Sequence, residues 1–68
     1  MLLISYQPLW DVLKARDMDK QELWKQGIVN HSNLYHLLND EPVSMPVLMK
    51  LCDMFDVPVE RVVVFRKV

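Results

Sequence analysis

Two short helical patterns separated by one turn occupy residues 19–38, DKQELWKQGIVNHSNLYHLL. Asp19 and Glu22 have the spacing of a capping box, in which two side chains satisfy backbone N–H groups at a helix start. This spacing predicts a helix over about 20–26, and Gly27 marks its end or the turn that follows it. Two brief helices joined by a tight turn can cross at ~90–120°, which is the arrangement of a helix-turn-helix.

The second pattern begins at Asn30 and Ser32, two residue types that commonly precede the first turn of a helix. It predicts a helix over about 31–38. Three leucines have the spacing of its inward face, namely Leu34, Leu37 and Leu38. At the corner between the two helices, three apolar side chains are expected to meet: Leu23, Val29 and Leu34. In a helix-turn-helix the second helix enters the major groove of DNA, so the pattern predicts a protruding helix here.

The flanking sequence predicts two further helices and two strands. Pro8 suits the first position of the first helix, because its missing N–H has no partner there in any case. Ser44 is expected to cap a fourth helix, which ends before Pro58 because proline disfavours the helical conformation in the residue before it. The β-prone segments 3–6 and 62–65 either pair with each other as a small ribbon or leave an edge that pairs across a dimer.

Length and composition describe one small domain over residues 1–68. Hydrophobic residues make up 51% of the chain, but no apolar run approaches the ~20 residues that a membrane-spanning helix needs. Cys52 is the only cysteine, which excludes an internal disulfide and favours the reducing cytoplasm as the location. One cysteine and two histidines are few ligands for a metal ion, so the sequence does not favour a metal site. The sequence predicts no cofactor, no membrane association and no small-molecule ligand.

No set of residues predicts catalysis, so the chain is not expected to be an enzyme. Asp11, Asp17 and Asp19 are helix-end or surface charges, and Cys52 has no base beside it in the sequence. Eight lysines and arginines against nine acidic residues give a net charge of −1. A DNA-binding domain is usually basic, although phosphate contact depends on which face carries the cations. The charge weakens a nucleic-acid interpretation without excluding it.

Residues 22–63, ELWKQGIVNHSNLYHLLNDEPVSMPVLMKLCDMFDVPVERVV, resemble the Cro/cI-like helix-turn-helix regulators of bacteria and phages. The opening YQPLWDVLKARDMDK (6–20) matches a compact subgroup in which the protein is little more than this domain. VSMPVLMKLCDMFDVP (43–58) looks like the fourth helix of the family. The resemblance spans residues 6–65. It implies an all-α, five-helix, lambda-repressor-like DNA-binding domain, to which the terminal strands would add a small ribbon, with the third helix as the recognition helix.

The resemblance also implies which side chains contact DNA. Carried over by position, polar side chains cluster at the start of the recognition helix and one turn further along it, and a lysine at the start of the second helix holds a phosphate. The set comprises Lys20, Asn30, His31, Ser32, Asn33 and His36, and Tyr35 either joins it at a phosphate or is simply exposed. Asparagine pairs with adenine bidentately, and serine or histidine addresses several base edges or phosphates.

Two positions depart from the family pattern. Many members have glycine in the turn between the two helices, where this chain has Ile28 and places Gly27 one residue earlier. Either the turn differs, or the second helix is one residue shorter than usual. Asp40 stands where many members have glycine after the third helix, and Asp40 and Glu41 add negative charge close to the expected duplex.

These features favour a non-enzymatic transcriptional regulator, most simply a repressor, that binds duplex DNA as a homodimer with half-sites ~34 Å apart. The apolar residues of the two terminal segments predict the dimer. The alternative is a protein-interaction module on the same fold, antirepressor-like or antitoxin-like, that does not bind DNA. The net charge and the Asp40–Glu41 pair favour the alternative, whereas the polar cluster at 30–33 favours DNA.

Overall fold

Four α-helices and one two-stranded antiparallel sheet form the fold, and the computed structural model describes all residues, 1–68. In chain order the elements are β1 (Leu2–Ser5), α1 (Gln7–Ala15), α2 (Glu22–Lys25), α3 (His31–Leu38), α4 (Met45–Phe55), a 3₁₀ turn (Val59–Arg61) and β2 (Val64–Lys67). None of the helices combines the length and the hydrophobicity that crossing a bilayer requires.

The expectation of five helices is wrong, because the fifth element is only a 3₁₀ turn. Pro58 precedes this turn in an extended conformation, and the Arg61 N–H donates to the Pro58 carbonyl at 2.9 Å. The residues that follow are β-branched and favour a strand over a helix. Val62, which caps this turn, is fully buried in the core.

The sheet joins the two ends of the chain. β1 and β2 pair antiparallel with Ile4 opposite Phe65, and the Val68 N–H donates to the Met1 carbonyl at 2.9 Å. Of the two arrangements that the sequence left open, the ribbon within the chain is the one observed. β2 begins two residues later than the predicted strand, because Val62 belongs to the core and not to the ribbon.

Twelve buried side chains form one core, and none of them is charged. The predicted corner between α2 and α3 is part of this core, since Leu23, Val29 and Leu34 are all buried. Leu37 occupies the next core position of α3 and is fully buried. The expectation that Leu38 faces inward is wrong: this side chain is 45% exposed, because α3 ends at Leu38 and the chain turns away from it.

The predicted side-chain caps of α2 and α4 are absent. Asp19 and Glu22 form no capping box, because the first N–H groups of α2 bond to backbone carbonyls of the preceding turn, as the Glu22 N–H does to the Asp19 carbonyl at 3.0 Å. The Glu22 carboxylate instead accepts a hydrogen bond from Gln26 Nε2 at 2.8 Å. At α4 the Ser44 carbonyl accepts the Val47 N–H at 3.1 Å, while the Ser44 hydroxyl makes no capping bond. In both helices, N–H groups of the first turn therefore bond to backbone carbonyls and not to a side-chain cap.

Each of the four helices is followed, one or two residues after its end, by a residue with a positive φ angle. These residues are Asp17 (56°), Gly27 (72°), Asp40 (54°) and Asp56 (52°). At each end two N–H groups return to carbonyls of the last turn, which is a Schellman motif; in α2 the Ile28 N–H donates to the Leu23 carbonyl at 2.9 Å. Gly27 therefore takes the left-handed position after a short α2, and the turn closes one residue before the usual glycine position of the family.

Replacing the left-handed aspartates by glycine is expected to stabilise the protein. Asp17→Gly and Asp56→Gly should each raise the free energy of unfolding by about 0.5–1 kcal/mol, because the left-handed conformation costs an L-residue roughly 1–2 kcal/mol and the greater freedom of unfolded glycine offsets part of the gain. Asp40→Gly is the matched control and should gain less, because the Asp40 carboxylate accepts the Tyr6 N–H at 3.2 Å. Urea unfolding measures the three values, and a loss of stability in both Asp17→Gly and Asp56→Gly contradicts the prediction.

Candidate nucleic-acid interface

α2, the turn over 26–30 and α3 form the helix-turn-helix that the sequence predicts. α2 has four residues and α3 has eight, and α3 spans the residues expected for the recognition helix. Leu23 of α2 and Leu34 of α3 pack in the same core, which fixes the two helices relative to each other. From the outside, Lys50 of α4 donates from Nζ to the Gly27 carbonyl at 3.3 Å. The turn is therefore held by the core on one side and by α4 on the other.

Asn30 determines where α3 begins. Its backbone is extended, and its side-chain oxygen Oδ1 accepts the Asn33 N–H at 2.8 Å, which is the bond of an N-cap asparagine. This bond occupies the amide oxygen of Asn30 and leaves its Nδ2 amino group as an outward donor. Of the two asparagines in the candidate site, only Asn33 keeps both side-chain amide atoms free for a bidentate contact.

The outward face of α3 carries Ser32 and His36, one helical turn apart. Ser32 Oγ lies 3.5 Å from His36 Nε2, and the Ser32 side chain is exposed while His36 is half-buried. Tyr35 is 58% exposed. On the opposite face Leu34 and Leu37 are buried in the core. α3 is therefore divided into an apolar face that fixes it and a polar face that it presents outward.

His31 packs against α2 and does not join the Ser32–His36 face. Its ring centre lies 4.1 Å from the ring centre of Trp24, with the two planes tilted by 49°. The two histidines are five residues apart, and positions with this spacing lie on different sides of a helix. The structure therefore brings Ser32 and His36 together, while His31 covers part of Trp24 at the seam between α2 and α3.

Asp40 and Glu41 hold the segment that leaves α3. Glu41 Oε1 lies 2.8 Å from His36 Nδ1. The Tyr6 hydroxyl donates to the Glu41 carbonyl at 2.7 Å, and the Tyr6 N–H donates to Asp40 Oδ1 at 3.2 Å. The sequence indicated that Asp40 and Glu41 add negative charge close to the duplex, and in the structure both carboxylates have hydrogen-bond partners within the protein.

Tyr6 is the buried anchor of this network. Burial raises the pKa of its hydroxyl above the ordinary value of 10.0, and the negative charge of Asp40 raises it further. A folded-state pKa above the unfolded one means that the stabilisation is complete below pH 10.0 and is lost as the pH rises through the raised pKa. The hydroxyl therefore stays protonated, and remains a donor to Glu41, throughout the neutral range.

Three lysines lie on or beside the helix-turn-helix. Lys20, the phosphate lysine expected from the resemblance, lies in the turn before α2, with Nζ 4.4 Å from the centre of the Trp10 ring. Lys25 is the exposed last residue of α2. Lys50 lines a shallow cleft together with Asn33. The helical pattern of α4 in the sequence does not reveal that Lys50 approaches the turn between α2 and α3.

Comparison with known proteins gives two matches. The family model of the Cro/C1-type HTH DNA-binding domain matches residues 8–66. The chain is also similar to the crystal structure of the transcriptional regulator VanUg, with a TM-score of 0.90 and 30% sequence identity over 98% of this chain and 89% of that chain. No curated protein sequence matches. The matched family is a DNA-binding family and not an enzyme family.

Proposed function

Because the chain belongs to the Cro/C1-type helix-turn-helix DNA-binding domain family, we propose that it binds specific double-stranded DNA sequences and represses transcription, with α3 in the major groove. The observation that carries this proposal is the division of α3 into two faces. Leu34 and Leu37 fix the helix to the core, while Ser32 and His36 face outward together. We expect the protein to act in the cytoplasm, whose reducing conditions suit the free thiol of Cys52.

The proposed contacts divide into base contacts and phosphate contacts. The base contacts are Asn30, Ser32, Asn33 and His36, and His31 lies beside them at the seam with α2. The phosphate contacts are Lys20 and Tyr35, with Lys25 and Lys50 as further cations. Serine, histidine and asparagine side chains have the donors and acceptors that base edges in the major groove require. Because few cations are available, the affinity is expected to fall with salt along a shallow slope.

A homodimer is part of the proposal. α4, the 3₁₀ turn and β2 enclose an open, mainly apolar groove of about 920 Å³, which we define by Met45, Met49, Cys52, Val59 and Phe65. The only charged residues that line it are acidic, Asp53 and Glu60, and the adjacent end of β2 carries Arg66 and Lys67. A second copy of the chain supplies both an apolar face and the opposite charge, so the groove suits a two-fold dimer. Two copies would place two recognition helices on half-sites ~34 Å apart.

The proposed function predicts that negative charge on the outward face of α3 abolishes DNA binding. The double variant Ser32→Glu, His36→Glu should bind a duplex selected from a random library at least about 100-fold more weakly than the wild type, because it loses base contacts and repels phosphates. The matched control Met54→Glu, Val68→Glu adds two glutamates at exposed positions of α4 and the C-terminus and should bind within about 3-fold of the wild type. Fluorescence anisotropy measures both affinities. A wild-type protein without sequence preference at low salt refutes the proposed function.

The second candidate function is a protein-interaction module without DNA binding, which the net charge of −1 favours. The same double variant separates the two functions. A protein partner that contacts another surface should still bind the variant, whereas DNA should not. Loss of DNA binding together with retention of every protein contact supports the regulator, and absence of DNA binding in the wild type supports the module.

A further inference from the structure

The His36 ring is oriented by a carboxylate. Nδ1 of His36 lies 2.8 Å from Oε1 of Glu41. An ionised carboxylate only accepts hydrogen bonds, so Nδ1 must carry the proton that it donates to Glu41. In the neutral imidazole the other nitrogen, Nε2, is then an acceptor. The pair therefore specifies which hydrogen-bonding atom His36 presents on its far side.

Glu41 is itself held in place by the fold. Its backbone N–H donates to the His36 carbonyl at 2.8 Å, as part of the Schellman motif that ends α3. Its carbonyl accepts the hydroxyl of Tyr6, which is almost completely buried. Two backbone bonds thus fix the residue whose side chain orients His36, and one of them comes directly from the core.

The free nitrogen of His36 faces the start of the recognition helix. Nε2 lies 3.5 Å from Ser32 Oγ, one helical turn toward the N-terminus of α3. In helix-turn-helix proteins the N-terminal residues of the recognition helix contact base edges. At 3.5 Å the Ser32 hydroxyl makes at most a weak bond, so Nε2 keeps its lone pair available for a better donor.

We propose that Glu41 is a positioning residue that makes His36 a specific acceptor in the major groove. Oriented by Glu41, Nε2 would accept a hydrogen bond from an exocyclic amino group, N4 of cytosine or N6 of adenine, the only base donors that the major groove exposes. This inference rests on the proposed function, because it concerns a contact within the same interface. In this role the Glu41 carboxylate increases the affinity for DNA, whereas simple repulsion of phosphates would lower it.

Removal of the Glu41 charge should change the affinity for DNA in opposite directions if Glu41 positions His36 and if it only repels phosphates. Glu41→Ala should bind the selected duplex about 5-fold more weakly and should lose its preference at one base pair, because a single hydrogen bond is typically worth this much. Glu41→Gln keeps an oxygen that accepts the Nδ1 proton and should retain the base preference. Asp19→Asn is the control for charge alone and should bind slightly more tightly. If Glu41 acts only through repulsion, Glu41→Ala and Glu41→Gln both bind more tightly, as Asp19→Asn does, and the inference is overturned.

A second measurement tests the orientation without DNA. In mildly alkaline buffer, where imidazole rings are neutral, long-range ¹H–¹⁵N spectra should show His36 of the free wild type protonated at Nδ1, and Glu41→Ala should shift the ring toward the Nε2-protonated form. A wild-type ring protonated at Nε2 overturns the inference whether or not DNA binds. In a His36→Ala background the effect of Glu41→Ala on affinity should vanish. An effect of unchanged size also overturns the inference. If the wild type binds no duplex selectively, the proposed function fails, and with it the proposed base contact, while the spectra still report whether Glu41 orients the ring.

Discussion

Truncation of Leu37 to alanine is expected to lower the free energy of unfolding by about 2–5 kcal/mol, whereas the same truncation of the neighbouring Leu38 should cost less than about 1 kcal/mol. Leu37 is fully buried and Leu38 is 45% exposed. The first substitution removes buried methyl groups and leaves a cavity that the surrounding helices fill only in part. The second removes groups that water already reaches, so little transfer free energy is lost.

The consequence is severe because the domain is small. A chain of 68 residues has a total stability of roughly 3–10 kcal/mol, so Leu37→Ala removes a large part of it. Urea unfolding monitored by circular dichroism measures both variants, and the midpoint of Leu38→Ala should lie close to that of the wild type. If the two substitutions cost the same, α3 is rotated relative to the orientation described above, and its outward face cannot be the one that carries Ser32 and His36.

The pair of leucines also shows which parts of the fold the sequence predicts. Helical spacing groups Leu34, Leu37 and Leu38 together, because Leu37 and Leu38 follow Leu34 by three and four residues. Spacing does not reveal that α3 ends at Leu38, which depends on Asp40 taking the left-handed conformation two residues later. Local patterns therefore predicted that α3 exists and which residues it spans, whereas burial at its end depends on where the chain turns.

The starts of α3 and α2 were predicted with unequal success. Asn30 caps α3 as expected, since an N-cap bond involves residues only three apart. At α2 the Asp19–Glu22 pair had equally suitable spacing, yet the preceding turn supplies backbone carbonyls before either side chain is needed. Residue types alone do not reveal whether the backbone of the preceding turn already accepts the first N–H groups of a helix.

The candidate site shows a similar limit. The resemblance placed Ser32 at the start of the recognition helix and His36 one turn further along it, and their side-chain atoms lie 3.5 Å apart. Glu41 was interpreted from the sequence as an unfavourable charge, although it bonds to His36. Lys50 of α4 also bonds to the turn between α2 and α3, a contact that the sequence did not predict. Both contacts depend on how loops and helices are placed in three dimensions, which the periodic pattern of one helix does not contain.

Met49→Glu is expected to separate the proposed dimer and to weaken binding to a two-fold symmetric DNA site by about 100-fold or more, because two linked recognition helices gain an avidity of ~10²–10⁴ over one. Met49 lines the apolar groove and is 64% exposed, so the fold does not need its side chain but a second copy seated in the groove would bury it. A glutamate there would be desolvated next to Asp53, which makes the paired state unfavourable.

Met54 provides the matched control, because it is on the same helix, is 51% exposed and lies outside the groove. Met54→Glu adds the same charge to the same helix and should leave the dimer and the affinity for the two-fold site unchanged. Sedimentation of both variants at high concentration reports the oligomeric state, and anisotropy with a single half-site should give equal affinities for Met49→Glu and the wild type, since each recognition helix is intact. If Met49→Glu sediments like the wild type and binds the two-fold site equally well, the groove is not the dimer surface. A wild type that sediments only as a monomer, with and without DNA, contradicts the proposed dimer. DNA binding would then depend on the few cations near α3 of a single subunit.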